Sequence, residues 1–221
     1  MPRLARVVAP GFPHHVTQRG NYRQPVFEAE EDYVLYLELL KRYSHKYKLS
    51  IWAYCLMGNH VHFVCVPLKD DSLAKTFNTL HMRYAQYLNR KKGMAGHLWQ
   101  GRFYSCILDE RHVYGAVRYV ENNSIRSGLV KRAEDYRWSS ARSHVTGLPD
   151  EVLSKDCPLT GEISNWRDYL KERQDENVIN DIRKSGMMGR PCGDDSFVKK
   201  LERKFGRRLK ALPRGRPKKK K

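Results

Sequence analysis

The chain has 221 residues, with 42 Lys and Arg against 24 Asp and Glu, for a formal charge of +18. With 40% hydrophobic residues it can bury the core of one domain plus an extension, which excludes a wholly disordered chain. No apolar run approaches a membrane span, and five scattered cysteines without a Cys-x-x-Cys pair exclude a disulfide framework and a thiolate zinc site. Residues 199–221 hold 13 basic residues and one Glu, a charge of +12, which leaves +6 on the first 198. A basic body with a strongly basic tail points to nucleic acid before an anionic membrane, because Pro and Gly in the tail spoil an amphipathic helix. The cysteine usage and the lack of a signal peptide set the expectation of a reducing, cytoplasmic compartment, nucleoid-associated through the DNA.

Residues 1–13 carry little pattern. His15-Val16-Thr17-Gln18-Arg19 alternates as a strand, and His14 and His15 read as its solvated start. Arg19-Gly20-Asn21 follows, a turn with a cation beside it. A helix is predicted over 29–48, with Tyr33, Leu37, Leu40, Tyr43 and Tyr47 as its core stripe. Two apolar strands come next, at about 50–57 and 60–66. Gly58-Asn59 between them reads as a two-residue hairpin turn, with Gly supplying a positive φ. Side chains on a strand alternate faces, so His60 and His62 point the same way and can grip one metal ion. On this spacing alone such a pair is more often two partly solvated histidines.

Asp71-Ser72 can cap a second helix that runs to about Arg90, with Leu73, Phe77, Leu80, Tyr84, Tyr87 and Leu88 inward. Arg83, Arg90, Lys91 and Lys92 decorate it, as a solvated face or as phosphate contacts beside a nucleic-acid site. Residues 93–102 form a Gly-rich loop that holds Trp99 and Arg102. Trp99 either stacks on a splayed base or plugs the core. Residues 103–108 read as a strand. Asp109 or Glu110 then opens a helix to about Asn123, with Val113, Ala116, Val117 and Val120 as its apolar stripe.

The order is β-α-β-β-α-β followed by a helix. It implies an α+β fold, a ferredoxin-like or RRM-like antiparallel sheet with helices on one face. RRM-type RNA binding competes on topology, but the aromatic RNP1 pattern is missing and the third strand carries histidines.

Beyond residue 123 come Arg126, Lys131 and Arg132, then Tyr136 to Ala141 as a closing turn and short helix. Residues 147–164 look like a linker, and small helices are predicted over 165–185 and 194–206. The expected division is a catalytic domain over 1–146, a linker and helical extension over 147–206, and a basic, disordered tail over 207–221. Arg214-Gly215-Arg216-Pro217 in the tail is similar to an AT-hook, a minor-groove binder, set against a nonspecific basic tail.

Tyr119 and Asn123 are four apart and share one helix face. If that face looks at the histidine strand, the site holds two imidazoles, an amide oxygen and a phenol. The imidazoles and Asn123 could ligate a divalent cation that polarises a phosphodiester oxygen, and Tyr119 could attack phosphorus to form a phosphotyrosine. A phenol with a pKa near ~10 needs a nearby cation to lose its proton. Tyr114 competes on the same helix, but five residues, about 500° of rotation, turn it in another direction.

His60-Val61-His62 resembles the HUH motif of HUH endonucleases. The chain resembles more closely the REP-associated tyrosine transposases, relatives of the single-tyrosine transposases of bacterial insertion sequences. The resemblance rests on Arg19-Gly20-Asn21, Leu56 to His62, Leu98-Trp99-Gln100-Gly101-Arg102-Phe103, Tyr119 to Val130, Trp138-Ser139-Ser140-Ala141, Gly189-Arg190-Pro191 and the basic tail. It implies an HUH fold, Mg²⁺ or Mn²⁺ on His60 and His62 with Asn123 as third ligand, and Tyr119 as nucleophile. It also implies palindromic single-stranded DNA hairpins as substrate, joined to the tyrosine at a 5′-phosphate with a free 3′-OH left for strand transfer. The relatives have Asn-Pro where this chain has Asn123-Ser124.

The expected activity is therefore a metal-dependent single-strand nuclease and strand transferase, acting as a monomer or homodimer. Arg19, Asn21, Arg83, Trp99, Arg102, Arg126, Arg214 and Arg216 are the expected DNA contacts. A noncatalytic hairpin-binding protein that has kept the fold is the alternative of another class. A relaxase or replication initiator is the enzymatic alternative, set back by having only one candidate tyrosine in the right context and no helicase-like extension.

Overall fold

The computed structural model describes residues 6–210. Strands β1 (His14–Arg19), β2 (Leu49–Met57), β3 (His60–Pro67) and β4 (Tyr104–Ile107) form one sheet in the order β2-β3-β1-β4. Each neighbouring pair is antiparallel. Helices α1 (Glu30–Lys46) and α2 (Ser72–Lys92) make the two crossovers, so the expected ferredoxin-like arrangement is what the chain adopts.

Side-chain alternation divides the core in two. Val61, Phe63 and Cys65 of β3 pack with Tyr36, Leu40 and Tyr43 of α1 and Leu73, Phe77, Leu80, Tyr84 and Leu88 of α2. Val64 and Val66 face the other way. A bulge in β2 between Ile51 and Ala53 puts Trp52 and Ala53 into that second cluster together. Asp32, fully buried in the first turn of α1, accepts the backbone N–H groups of Glu28 and Ala29. It also binds Lys91 Nζ at 2.7 Å, which locks α1 to α2. Asp71 occupies the N-cap of α2 but makes no side-chain cap there; its carboxylate pairs with Lys75 instead.

The sheet, expected to carry helices on one face, carries them on both. Helix α3 (Glu110–Glu121), the short α4 (Asn123–Arg126), α5 (Ala141–Thr146), α6 (Leu159–Glu162) and α7 (Trp166–Lys171), then α8 (Glu176–Met188) and α9 (Asp195–Phe205), follow β4. Val113, Ala116, Val117 and Val120 of α3 and Val178, Ile179 and Ile182 of α8 bury the second face. Close approach of these two helices depends on Gly115, where a Cβ would sit 2.5 Å from Val178 Cγ1.

Residues 147–158, expected as a linker, lie along β2, an edge strand of the sheet. Ile51 N–H donates to Ser154 Oγ (3.0 Å), Tyr54 Oη–H to Asp150 (2.7 Å) and Ser50 Oγ–H to Asp156 (2.7 Å). The segment shields an edge that would otherwise offer unpaired backbone groups. All five cysteines are buried and free. No helix among the described residues is long and apolar enough to cross a membrane.

The β2–β3 turn differs from expectation. Neither Gly58 nor Asn59 takes a positive φ. Its carbonyls are instead held by the segment after β1: Val26 and Phe27 N–H donate to Gly58 O, and Gly20 N–H to Asn59 O. These contacts supply what a primed turn would have supplied by conformation.

Candidate active site

Strand β3 places His60 and His62 on the α3 side of the sheet, with ring centroids 5.0 Å apart. Strand β1 runs beside it with Thr17 opposite His62 and His15 opposite Val64. This register puts His15 against His62. The rings stack at 5.2 Å, with His15 Nε2 3.0 Å from His62 Nδ1. His14 and His15 are not a solvated strand start; both are buried. The strand enters between two helical layers, and His14 is satisfied by backbone, its Nδ1–H donating to Phe12 O while Nε2 accepts from Ala9 N–H.

Burial lowers the pKa of His15 to about 4. Burial, then the charges of Arg19 and Arg126, lower that of His60 to about 4. His62 is held well below its ordinary value by burial first, then by His15, His60 and the two arginines. All three imidazoles are therefore neutral at neutral pH, the form that ligates metals. His60 Nδ1–H donates to Asn59 Oδ1 at 2.6 Å, and His62 Nδ1 faces His15. Each ring has one nitrogen engaged by a neighbour, a pattern that orients metal-ligating histidines.

Helix α3 brings the phenol. Asp109 caps it by accepting His112 N–H at 2.8 Å. Its apolar stripe packs on the sheet, which turns Tyr119 edge-on to His62 (5.5 Å, 89°) and to His15 (5.9 Å, 81°). The Arg126 guanidinium lies 4.1 Å from the Tyr119 ring centroid, and that of Arg183, on α8, lies 5.4 Å from it. Arg183 Nε is 3.5 Å from Tyr119 Oη. Tyr119 is 5% exposed, so the phenol is enclosed by imidazoles on one side and cations on the other.

The helix kinks at Asn122, yet Asn123 stays at the cluster: Arg126 Nη2–H donates to Asn123 Oδ1 at 3.0 Å. Asn123 Nδ2 and His15 Nδ1 are buried without a hydrogen-bond partner. Among the described residues no group of three or more His, Cys, Asp or Glu is arranged to hold a metal. A metal here would therefore rest on the imidazole pair and on neutral oxygen. His60 and His62 suit that role; Asn123 suits it once its oxygen exchanges Arg126 for the ion.

The other expected residues divide. Arg19 ends β1 opposite His60, and Asn21 N–H donates to Leu98 O in the adjoining turn. Arg83 is exposed on α2, across the sheet from Tyr119. Arg102 is exposed in the loop just before β4. Trp99 is not a stacking surface: it is 8% exposed, packs on His81 at 4.6 Å and donates Nε1–H to His81 O. A large indole beside the α1–α2 core gains more from burial than a Gly-rich loop gains from displaying it. Arg214 and Arg216 lie outside the described residues. Tyr114 points to α6 and donates to Glu162, whose carboxylate raises the phenol's pKa.

His15 and Arg183 are the residues of this cluster that the sequence reading missed. For His15 a signal existed, since the ferredoxin-like order sets the first strand beside the third. For Arg183 none did, because its place depends on a helix returning from 60 residues away.

The profile of the IS200-like transposases matches residues 11–123. Among solved structures the chain is similar to a REP-associated tyrosine transposase bound to a REP hairpin. The identity is 19% and the TM-score 0.53, over 71% of this chain and 93% of that one. At that identity the likeness is one of fold. A Deinococcus radiodurans R1 protein described as a transposase matches at 18% identity and a TM-score of 0.38, over 55% of this chain and 97% of that one. No curated protein matches the sequence.

Proposed function

Because the chain belongs to the IS200-like transposases, metal-dependent DNA-cleaving enzymes of transposition, we propose that it cuts and rejoins single-stranded DNA at palindromic, REP-like hairpins through Tyr119. The observation that carries this reading is the packing of Tyr119 edge-on against His62 with two guanidinium groups at its ring. The fold likeness to a transposase bound to a REP hairpin supports the choice of substrate class.

In this reading His60 and His62, with Asn123, would hold Mg²⁺ or Mn²⁺, which would supply Lewis-acid polarisation of the scissile phosphate. Tyr119 Oη attacks phosphorus, loses its proton to solvent and becomes bonded to the 5′-phosphate. The bond from phosphorus to the 3′-oxygen breaks, and that oxygen leaves as a hydroxyl after taking up a proton. Arg126 and Arg183 stabilise the charge gathered on phosphate oxygens. Attack by a 3′-OH of another strand reverses the step and restores Tyr119. His15 holds His62 in orientation. Arg19, Asn21 and Arg102 contact the DNA backbone, with salt-sensitive affinity.

One observation favours a noncatalytic hairpin binder: Asn123 Oδ1 is engaged by Arg126 rather than left open. A single assay separates the two readings. The protein is mixed with 3′-labelled hairpin DNA from beside its own gene, with Mg²⁺ or Mn²⁺, and run on a denaturing gel. A labelled, protease-sensitive band is expected, lost with chelator and in Tyr119→Phe but kept in Tyr114→Phe. Tight hairpin binding with no band under either metal would establish the binder instead.

A further inference from the structure

The turn after β1 carries two consecutive residues other than glycine in the left-handed region, Tyr22 at φ 50° and Arg23 at φ 61°. A bulky side chain at such an angle is strained. Burial does not compensate, because Tyr22 is 94% exposed. The strain is imposed by a frame that fixes the turn from two sides. Gly20 N–H donates to Asn59 O (2.9 Å), Asn21 N–H to Leu98 O (2.8 Å) and Arg23 N–H to Gly20 O (3.0 Å). Gln24 Nε2–H donates to Leu98 O (3.1 Å) and Asn59 Nδ2–H to Arg23 O (3.1 Å). A Cβ at Gly20 would collide with Gln24 O and Val26 Cγ1, so the frame has no slack there.

The frame leads to the active-site cluster. Asn59, whose Nδ2 holds Arg23 O, uses its Oδ1 to bind His60 Nδ1. One amide side chain thus ties the turn that displays Tyr22 to a candidate metal ligand. The surroundings are cationic: Arg19 and Arg23 are exposed, and no acidic residue occurs between residues 14 and 27. An exposed tyrosine is ordinary; one held outward on a strained, pinned turn beside a cationic site is built for a flat ligand.

We propose that Tyr22 is a stacking platform for an unpaired base of the DNA strand that enters the site, with Arg19 and Arg23 on the flanking phosphates. This rests on the DNA-processing reading of the His60, His62 and Tyr119 cluster. Every base has a π face, so the platform supplies affinity and position with little sequence preference.

The test measures binding by the full chain of a fluorescein-labelled, REP-like palindromic DNA hairpin, with and without single-stranded flanks. Anisotropy is read for wild type, Tyr22→Phe, Tyr22→Ala and Tyr22→Gly. Tyr22→Ala should weaken binding of the flanked hairpin about tenfold, and Tyr22→Phe should stay within about twofold of wild type. The bare hairpin should not distinguish them. Tyr22→Gly should bind as weakly as Tyr22→Ala while its Tm rises by about 2–4 °C, since glycine relieves the left-handed φ. Flanked-hairpin affinity unchanged in Tyr22→Ala would overturn the platform and leave the proposed function intact. An equal loss with and without flanks would assign Tyr22 to the duplex and overturn the unpaired-base reading. Wild type that binds neither probe would overturn the DNA-processing reading itself, and the platform with it.

Discussion

His15 Nε2 stands 3.0 Å from His62 Nδ1, so one of the two nitrogens carries the shared proton. For His62 to offer Nε2 to a metal, its Nδ1 must be the donor and His15 the acceptor. Replacing His15 by Phe keeps the bulk of the ring and removes the acceptor. Titration calorimetry with Mn²⁺ at pH 7.5 should show about 10–100-fold weaker binding in His15→Phe, and a smaller loss in His15→Gln. Equal affinity in all three proteins would reduce His15 to packing.

Arg126 touches two candidate groups at once, the Tyr119 ring and Asn123 Oδ1. Arg126→Gln should slow covalent adduct formation at least about tenfold, because a cation beside the phenol is removed. The same change frees the Asn123 oxygen, so Mn²⁺ affinity should hold or rise. A parallel fall in both quantities would mean that the substitution disorders the site.

The contact between α3 and α8 can be probed through Gly115. Gly115→Ala drives a methyl into Val178, an overpacking that costs about 1–3 kcal/mol and exceeds the ~1 kcal/mol of helix propensity gained. In a Val178→Ala background the clash disappears, and the same substitution should stabilise by ~1 kcal/mol. Urea denaturation of the four proteins reads the reversal of sign; its absence would show that the helices can shift apart.

Acid should destabilise the fold before it protonates most carboxylates. Burial pushes His14 down to about 4, offset in part by the Phe12 carbonyl, and burial pushes His81 down to about 3. Tyr36 Oη–H donates to His81 Nε2, and Ala9 N–H to His14 Nε2, so both rings are held neutral. The unfolded chain binds these protons near pH 6.5, so stability falls as pH drops from 6.5 towards 4. At pH 5 each ring costs about 2 kcal/mol. Denaturation midpoints at pH 7.5 and pH 5 should differ accordingly, and His81→Gln should narrow the gap.

The sheet was legible because its strands alternate cleanly: Val61, Phe63 and Cys65 to one layer, His60 and His62 to the other. The two crossover helices followed from their apolar spacing. The shared face of Tyr119 and Asn123 was readable from their spacing, but that it looks at the histidines was a condition that only the packing of α3 on the sheet met. Other features escaped. The loop position of Trp99 was readable but its depth was not, because loop burial is a tertiary outcome. The turn at Gly58-Asn59 looked like a primed hairpin, although its geometry is set by residues 20–27. The second helical layer was invisible because α8 shows its apolar face, Val178, Ile179 and Ile182, only in a stretch that is polar on average, and nothing local says which surface that face will cover.

The reach of Arg183 to Tyr119 bears on anyone wishing to shorten this protein. The family profile ends at residue 123, which invites a cut there. Such a cut would remove a cation from beside the phenol and strip the cover from Val113, Ala116 and Cys106, leaving a sheet with one greasy wall turned to water. The truncated product would clump before it could be assayed. A workable miniature keeps the chain through α8, or repaints that wall with polar residues and supplies the missing charge from elsewhere.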